Sequence, residues 1–206
     1  MKFFFSFLSR SFSQKQSSIP FSPKNLTSHY KNELSDVYMD EIYSITEYKD
    51  IENLLTRFKY QSQREVWVQF IPLFEQLLNQ KFPKDSLWDI FLVPTPMHWS
   101  RYFSRWFDHI HWMSKKISKK SGFPLLPLVS CSFFSLPFRQ SHLSREKRLA
   151  NKRNHFKIKS HQKIPEKVFL IDDVISTGST ANECARVLKN AWVKQVIWIF
   201  LASNLP

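Results

Sequence analysis

The fold of this chain is decided by the stretch Val168-Phe169-Leu170-Ile171-Asp172-Asp173-Val174-Ile175-Ser176-Thr177-Gly178-Ser179-Thr180. Its apolar, β-branched beginning predicts a buried strand, and two adjacent carboxylates follow that strand. A short loop of small hydroxyl residues around a glycine comes next, and a helical pattern of apolar residues begins after it. In an open α/β sheet, ligands bind outside the carboxyl ends of the strands. The sequence therefore predicts an α/β protein with a ligand site at this loop.

The residue types of this loop suit a phosphorylated sugar. Backbone N–H groups at the start of the helix form an anion site, to which four hydroxyls can add donors (Ser176, Thr177, Ser179 and Thr180). Asp172 and Asp173 could accept from sugar hydroxyls or hold Mg²⁺, directly or through water. Phosphate at one end and hydroxyls at the other describe a ribose 5-phosphate.

A purely structural explanation of the same stretch is a plain strand–turn–helix connection. Asp173 would turn the chain, and Ser179 or Thr180 would cap the helix. Caps explain one hydroxyl and one aspartate of the stretch, which favours the ligand site. Gly122 and Gly178 are the chain's two glycines. Such sparing use indicates positions where the backbone approaches a ligand closely or adopts a positive φ.

Several further motifs carry a family resemblance. Asp172–Thr180 resembles the phosphoribosyl-pyrophosphate (PRPP) motif of type I phosphoribosyltransferases. Residues 41–206 resemble the ComF family, which is associated with natural competence and DNA uptake. The other matching stretches are Phe58-Lys59-Tyr60, Pro94-Thr95-Pro96-Met97-His98, Arg101 with Arg105-Trp106-Phe107-Asp108-His109, and the spaced residues Gln140, Leu143, Ser144, Arg148, Asn151 and Phe156.

The resemblance implies a doubly wound, mainly parallel sheet of the type I phosphoribosyltransferase kind. It implies Mg²⁺ as cofactor, with Asp172 and Asp173 as its direct or indirect ligands. PRPP would be bound by the motif residues Asp172, Asp173, Ser176, Thr177, Gly178, Ser179 and Thr180. Arg101, Arg105 and Arg139 are candidates for a catalytic role at the diphosphate, and residues 139–151 for a closing flap.

Four departures from the family pattern bear on function. No cysteine precedes Cys131, so we do not expect the family's zinc-binding module. Trp106 replaces a glycine, and Asp108 and His109 replace the asparagine and glutamine that follow it in the family pattern. The run Phe133–Phe138 replaces most of the arginines and the threonine that usually precede Gln140. Ser176 stands where purine-salvage members carry a carboxylate, which disfavours purine salvage.

Composition sets broad limits on the chain. Its 206 residues suit one main domain, residues 41–206. Residues 1–40 are expected to be a poorly ordered arm, because their start is rich in Phe and Ser and lacks acidic residues. No apolar run is long enough to span a membrane, so stable insertion is not expected, although peripheral contact through the phenylalanines stays open. Two distant cysteines fit a reducing cytoplasm.

The chain is strongly basic, with a net charge of +13. Residues 139–167 contain ten Lys and Arg against Glu146 and Glu166, which gives 10 − 2 = +8. Such a segment attracts an anionic substrate or a nucleic-acid backbone, and a solvated loop is the plain alternative.

Apolar spacing predicts the remaining elements. Helices are predicted over 51–58, over 66–78 with a kink or late start at Pro72, over 99–117 with Arg101 and Arg105 in the first turns, over 144–151, and over 181–191. Strands are predicted over 87–93, 125–135, 155–159, 168–171 and 196–201, the last two as a parallel pair. Gly122 is predicted to end the third helix.

Three functional hypotheses remain. The first is Mg²⁺-dependent phosphoribosyl transfer from PRPP to an unidentified acceptor. The second is a non-catalytic PRPP-binding protein or an adaptor for the competence helicase and for single-stranded DNA handling. The third is direct binding of single-stranded DNA by the basic segment.

Overall fold

The computed structural model of the chain describes residues 19–33, 36–61, 65–82, 90–97, 108–131, 155–159, 164–175 and 177–203. Within these ranges there are seven strands: β1 (Lys24–Asn25), β2 (Glu41–Glu47), β3 (Ile90–Pro94), β4 (Val129–Cys131), β5 (Phe156–Ile158), β6 (Lys167–Ile175) and β7 (Gln195–Ser203). The same ranges contain six helices: α1 (Thr27–Glu33), α2 (Tyr48–Gln61), α3 (Glu65–Val68), α4 (Ile71–Lys81), α5 (His109–Ser121) and α6 (Ser179–Asn190).

Five of these strands form one sheet in the order β1-β2-β7-β6-β3. The four strands from β2 to β3 are mutually parallel, and β1 is antiparallel to β2. Leu170 of β6 pairs with Val93 on one side and Trp198 on the other, so β6 is an interior strand. The middle position belongs to β7, which is buried from Val196 to Ser203. The prediction of an α/β protein with a mainly parallel sheet is confirmed.

Helices cover both faces of this sheet. Helices α2, α3, α4 and α5 pack their apolar side chains on one face, for example Ile51, Trp67, Phe74 and Met113. Helices α1 and α6 and the small β4–β5 sheet pack on the other. The continuous apolar runs of β6 and β7 follow from this arrangement, because a strand covered on both faces has no polar side.

Local sequence signals place several element ends. Pro72 lies in the first turn of α4, as a late start of that helix requires. Gly122 ends α5 with φ of 86°, as predicted. After Gly122 the chain returns along the edge of β3, where the Leu126 amide donates to the Leu92 carbonyl at 2.8 Å. The predicted edge strand at 155–159 is β5, paired with β4.

The prediction of one continuous helix from residue 99 to 117 is wrong at Asp108, where the helix is interrupted. Asp108 has an extended backbone and its carboxylate accepts from the His111 amide at 2.9 Å, so it is the N-cap of α5. An N-cap residue is not helical, so α5 begins at His109 and its first turn contains neither Arg101 nor Arg105. Those two arginines lie outside the described residues.

The chain before residue 41 contributes β1 and α1, although residues 1–40 were expected to be poorly ordered. Tyr30 of α1 is 2% exposed and meets Trp198 of β7 edge to face, with ring centroids 5.5 Å apart. Residues 1–18 lie outside the described part. None of the helices in the described ranges has both the length and the apolar character needed to cross a membrane.

Candidate functional site

Strand β6 is longer than its sequence predicts, and Asp172 and Asp173 therefore lie inside the strand and not after it. Strand β3 pairs with β6 only as far as Pro94 and Ile171, whereas β7 accompanies β6 to Ile175. Asp172 and Asp173 therefore lie within the strand, on the stretch that extends past the end of β3. The predicted strand end at Ile171 is wrong because pairing with β7 continues for four more residues.

The two carboxylates point to opposite faces of the sheet, since successive strand residues alternate. Asp173 faces α5, where its Oδ2 lies 2.8 Å from His109 Nε2. Asp172 lies on the α6 side, where its negative charge adds to burial in raising the pKa of the Cys184 thiol well above its ordinary value. Cys184 is fully buried in the hydrophobic core on this side of the sheet.

Each carboxylate is also fixed by the backbone beside it. The Asp173 amide donates to Asp172 Oδ1 at 2.9 Å, and the Val174 amide donates to Asp173 Oδ1 at 2.6 Å. These bonds limit side-chain rotation at the strand end without neutralising either charge. Both side chains remain partly exposed, so each can still meet a ligand.

The turn between β6 and α6 is centred on Gly178, which is the N-cap of α6. Gly178 has φ of 67°, and no side chain caps the helix. The structural alternative with Ser179 or Thr180 as N-cap is therefore wrong, because both residues are already in the first helical turn. Thr177 Oγ1 and Ser179 Oγ lie 2.9 Å apart across the turn. The hydroxyls thus stand beside the first amides of a twelve-residue helix, where an anion is favoured.

The side chains of Tyr30 and Trp198 pack directly against Gly178. A Cβ atom on Gly178 would stand 2.9 Å from Tyr30 Cε1 and 3.2 Å from the Trp198 ring. The positive φ expected of this glycine is confirmed, and the close approach is to these aromatic rings. Burial raises the pKa of Tyr30 to about 12, which keeps the phenol neutral. Sequence reasoning missed Tyr30, since nothing local links α1 to this loop.

His109 is the other residue at the site that sequence reasoning did not assign to it. Its side chain is 1% exposed and stacks on Trp67, with ring centroids 4.7 Å apart and planes at 27°. Its only sequence signal was its position directly after Asp108, where the family pattern has a different residue.

The described residues can bind Mg²⁺ through single carboxylates and cannot enclose it with several protein ligands. Among them, no three His, Cys, Asp or Glu side chains lie close enough to hold a metal ion together. Asp172 and Asp173 point to opposite faces and do not form a joint chelate. Mg²⁺ usually keeps several waters and binds one or two carboxylates plus phosphate oxygens of a substrate. The site therefore suits an ion that arrives with a diphosphate and is held by one aspartate or through water.

The structure brings together most of the predicted site residues at the carboxyl end of the parallel strands. They are Asp172 and Asp173 on β6, Thr177 and Gly178 in the turn, and Ser179 and Thr180 on α6. Ser176 and the candidate Arg139 lie outside the described residues, as do the two arginines before α5. The described part of the basic segment consists of β5, the residues next to it, and residues 164–167.

Comparison with known proteins finds similarity to three competence proteins. The chain is 27% identical over 151 residues to Competence protein F of Haemophilus influenzae, which covers 70% of this chain and 65% of the relative. It is 27% identical over 158 residues to Competence protein ComFC of Streptococcus pneumoniae, covering 71% and 60%. For Competence protein ComFC of Bacillus subtilis the identity is 27% over 146 residues, covering 70% and 56%. The matched region is thus less than two thirds of each relative's length. No protein-family model matches the chain.

Proposed function

We propose that this chain is a member of the ComF family, as its similarity to three competence proteins supports, and that it binds PRPP together with Mg²⁺. We further propose that its α/β sheet has the type I phosphoribosyltransferase topology. The observation that carries the proposal is the juxtaposition of the Gly178 turn with the carboxylates of β6. An anion site and hydroxyl acceptors then stand at the same end of one strand.

The two halves of the site would divide the ligand between them. The 5-phosphate would lie at the start of α6, against the backbone amides and the hydroxyls of Thr177, Ser179 and Thr180. The ribose hydroxyls would donate to Asp172 and Asp173, as the family resemblance implies. When bound, Mg²⁺ would neutralise part of the charge on the diphosphate and make it a better leaving group.

Phosphoribosyl transfer is the reaction that this ligand would undergo. The bond between C1 of the ribose and the diphosphate breaks while a nucleophile bonds to C1, and the diphosphate leaves with its electron pair. Arg101, Arg105 and Arg139 are proposed to stabilise the leaving diphosphate. A binding protein without transferase activity is the second candidate. Trp106 in place of a glycine and the apolar run at 133–138 favour it.

Calorimetry with PRPP and Mg²⁺ tests the binding proposal directly. The wild-type protein should bind, and Asp172→Asn and Asp173→Asn should each weaken binding by about tenfold or more, since a hydrogen bond to a charged group contributes about 1.5–3 kcal/mol. Glu166→Gln is the matched control, because this exposed carboxylate lies just before β6, at the opposite end from the site, where it pairs with Lys194. Unchanged binding in both aspartate variants would refute the site.

Release of diphosphate separates the enzyme from the binding protein. An enzyme should release diphosphate from PRPP in the presence of its acceptor, so a broad panel of nucleophiles must be tried. PRPP binding without diphosphate release across that panel favours the binding protein.

The three relatives support a competence-related role, and we propose that the chain acts in DNA uptake. Its proposed partners are the competence helicase and single-stranded DNA. Deletion should reduce transformation, and complementation with the Asp172→Asn/Asp173→Asn variant tells whether that role needs PRPP. Restoration by the variant would favour the adaptor. Direct DNA binding by the basic segment requires an affinity that falls steeply with salt.

A further inference from the structure

His109 is not part of the PRPP motif, yet it touches one of the motif's carboxylates. Its Nε2 lies 2.8 Å from Asp173 Oδ2, a distance typical of a charge-assisted hydrogen bond. The imidazole is 1% exposed, while the Asp173 side chain is 23% exposed. The histidine therefore holds the carboxylate from the protein side and leaves its other side open to solvent.

The position of the imidazole is itself fixed. Its ring stacks on Trp67 of α3, which is 1% exposed and packs edge to face on Phe70. Asp108 caps α5 one residue earlier and so determines where the first helical residue stands. Packing on one side and the helix start on the other leave the ring little freedom to turn.

Asp173 is restrained at both of its oxygens. Oδ1 accepts from the Val174 amide at 2.6 Å, and Oδ2 faces His109. Two partners at two oxygens fix the torsion of the carboxylate. The Asp173 side chain is still 23% exposed, so a ligand can reach the restrained carboxylate.

We infer that His109 is a positioning residue, which orients Asp173 to accept hydrogen bonds from the sugar hydroxyls of PRPP. This inference rests on the proposed PRPP binding. Because the carboxylate is already ordered in the folded protein, it loses little conformational entropy when the ligand binds. Such preorganisation raises affinity. The phosphate end of the ligand lies at the Gly178 turn and does not depend on His109.

Two variants of His109 separate orientation from packing. His109→Phe keeps an aromatic ring against Trp67 and removes the nitrogen that faces Asp173. His109→Gln places an amide nitrogen near the position of Nε2 and restores a donor. Calorimetry compares PRPP with inorganic diphosphate, both with Mg²⁺, because the second probe has no sugar.

His109→Phe should weaken PRPP binding about tenfold and weaken diphosphate binding clearly less, because diphosphate has no sugar hydroxyls to meet Asp173. His109→Gln should recover most of the lost affinity. In the Asp173→Asn background, His109→Phe should cause no further loss, since the carboxylate that it orients is gone.

Three results would overturn the inference while PRPP binding by the wild type stands. These are wild-type affinity in His109→Phe, equal loss for PRPP and diphosphate, and additive losses in the double variant. Failure of the wild type to bind PRPP would instead refute the proposed function, and the inference with it. The two failures are thus distinguishable in one set of titrations.

Discussion

The two glycines of this chain adopt nearly the same backbone conformation in very different surroundings. Gly122 ends α5 with φ of 86°, and Gly178 begins α6 with φ of 67°. A Cβ atom on Gly122 would meet nothing within 4 Å, whereas one on Gly178 would press into Tyr30 and Trp198. Gly122 is required only by its left-handed backbone conformation. Gly178 is required both by its backbone conformation and by the close packing of Tyr30 on α1 and Trp198 on β7.

This difference shows how the candidate phosphate turn is held. Tyr30 and Trp198 are both buried and in contact with each other, so the turn rests on a packed base. A turn supported in this way keeps its amides in place without a side-chain cap. The Gly122 turn has no such support and needs none, because it only stops a helix.

Gly178→Ala is expected to have the largest effect of any change to these turns. The left-handed conformation costs an alanine about 1–2 kcal/mol, and the crowding against two buried rings adds about 1–3 kcal/mol. The free energy of unfolding from urea titration should fall by about 2–5 kcal/mol, and PRPP affinity should fall with it. A loss as small as that of Gly122→Ala would remove the distinction between the turns.

High pH should lower the stability of the folded protein through ionisation of Tyr30, which packs against Gly178. Burial raises the pKa of Tyr30 from 10.0 to about 12, so the folded protein holds this proton where the unfolded chain has lost it. Its contribution to stability is present below pH 10 and is lost as pH rises from 10 to 12, by no more than about 3 kcal/mol.

Urea titrations at several pH values compare the wild type with Tyr30→Phe. The variant should lose less stability between pH 10 and 12, because it has no phenol to ionise. Tyr43 and Cys184 titrate in both proteins and do not affect the difference. Gly122→Ala should shift the whole curve without changing its shape, since that turn has no tyrosine against it. Identical slopes for wild type and Tyr30→Phe would contradict the prediction.

A smaller substitute for Tyr30 should relieve part of the crowding at Gly178. Tyr30→Leu removes the Cε1 atom that stands nearest to the missing Cβ. The combined loss of stability in Gly178→Ala/Tyr30→Leu should therefore be smaller than the sum of the single losses, by about 1 kcal/mol. Thermal or urea unfolding of the four proteins measures this coupling, and strict additivity would mean that the backbone alone accounts for the glycine.

Substitutions of Gly122 should have the smallest effects. Gly122→Ala should cost about 1–2 kcal/mol, because only the left-handed conformation opposes it. Gly122→Asn should cost less, since asparagine tolerates this conformation better than other residues. Equal losses of unfolding free energy in the two variants would contradict this prediction. They would mean that a steric contact, and not the backbone conformation, limits substitution at this position.

Prediction from sequence succeeded where the cause lies within a few residues. Gly122 ends a helix, Gly178 takes a positive φ, and Pro72 stands at a helix start, because each property follows from one residue's own backbone. The alternation of buried strand and amphipathic helix was enough to predict β6, α6 and β7 in parallel arrangement. These are short-range signals, and tertiary contacts did not override them.

Prediction failed where the cause is a partner distant in sequence. Strand β6 continues to Ile175 because β7 pairs with it, and an apolar run cannot reveal how far a neighbour extends. The apolar spacing before Asp108 suggested one long helix, whereas the carboxylate of that residue caps a shorter one. The composition of residues 1–40 suggested poor order, yet Tyr30 is buried there because β7 offers it Trp198.

The sequence by itself determined the α/β class, the strand–turn–helix at residues 168–180, and the acidic and hydroxyl residues that suit a ribose 5-phosphate. Only the tertiary structure decided that Asp172 and Asp173 face opposite sides, that His109 holds one of them, and that Tyr30 and Trp198 lie under Gly178. The physical reason is the distance along the sequence over which each interaction acts. Backbone preference and apolar periodicity act between near neighbours, whereas the orientation of a site depends on side chains that meet only after the chain has folded.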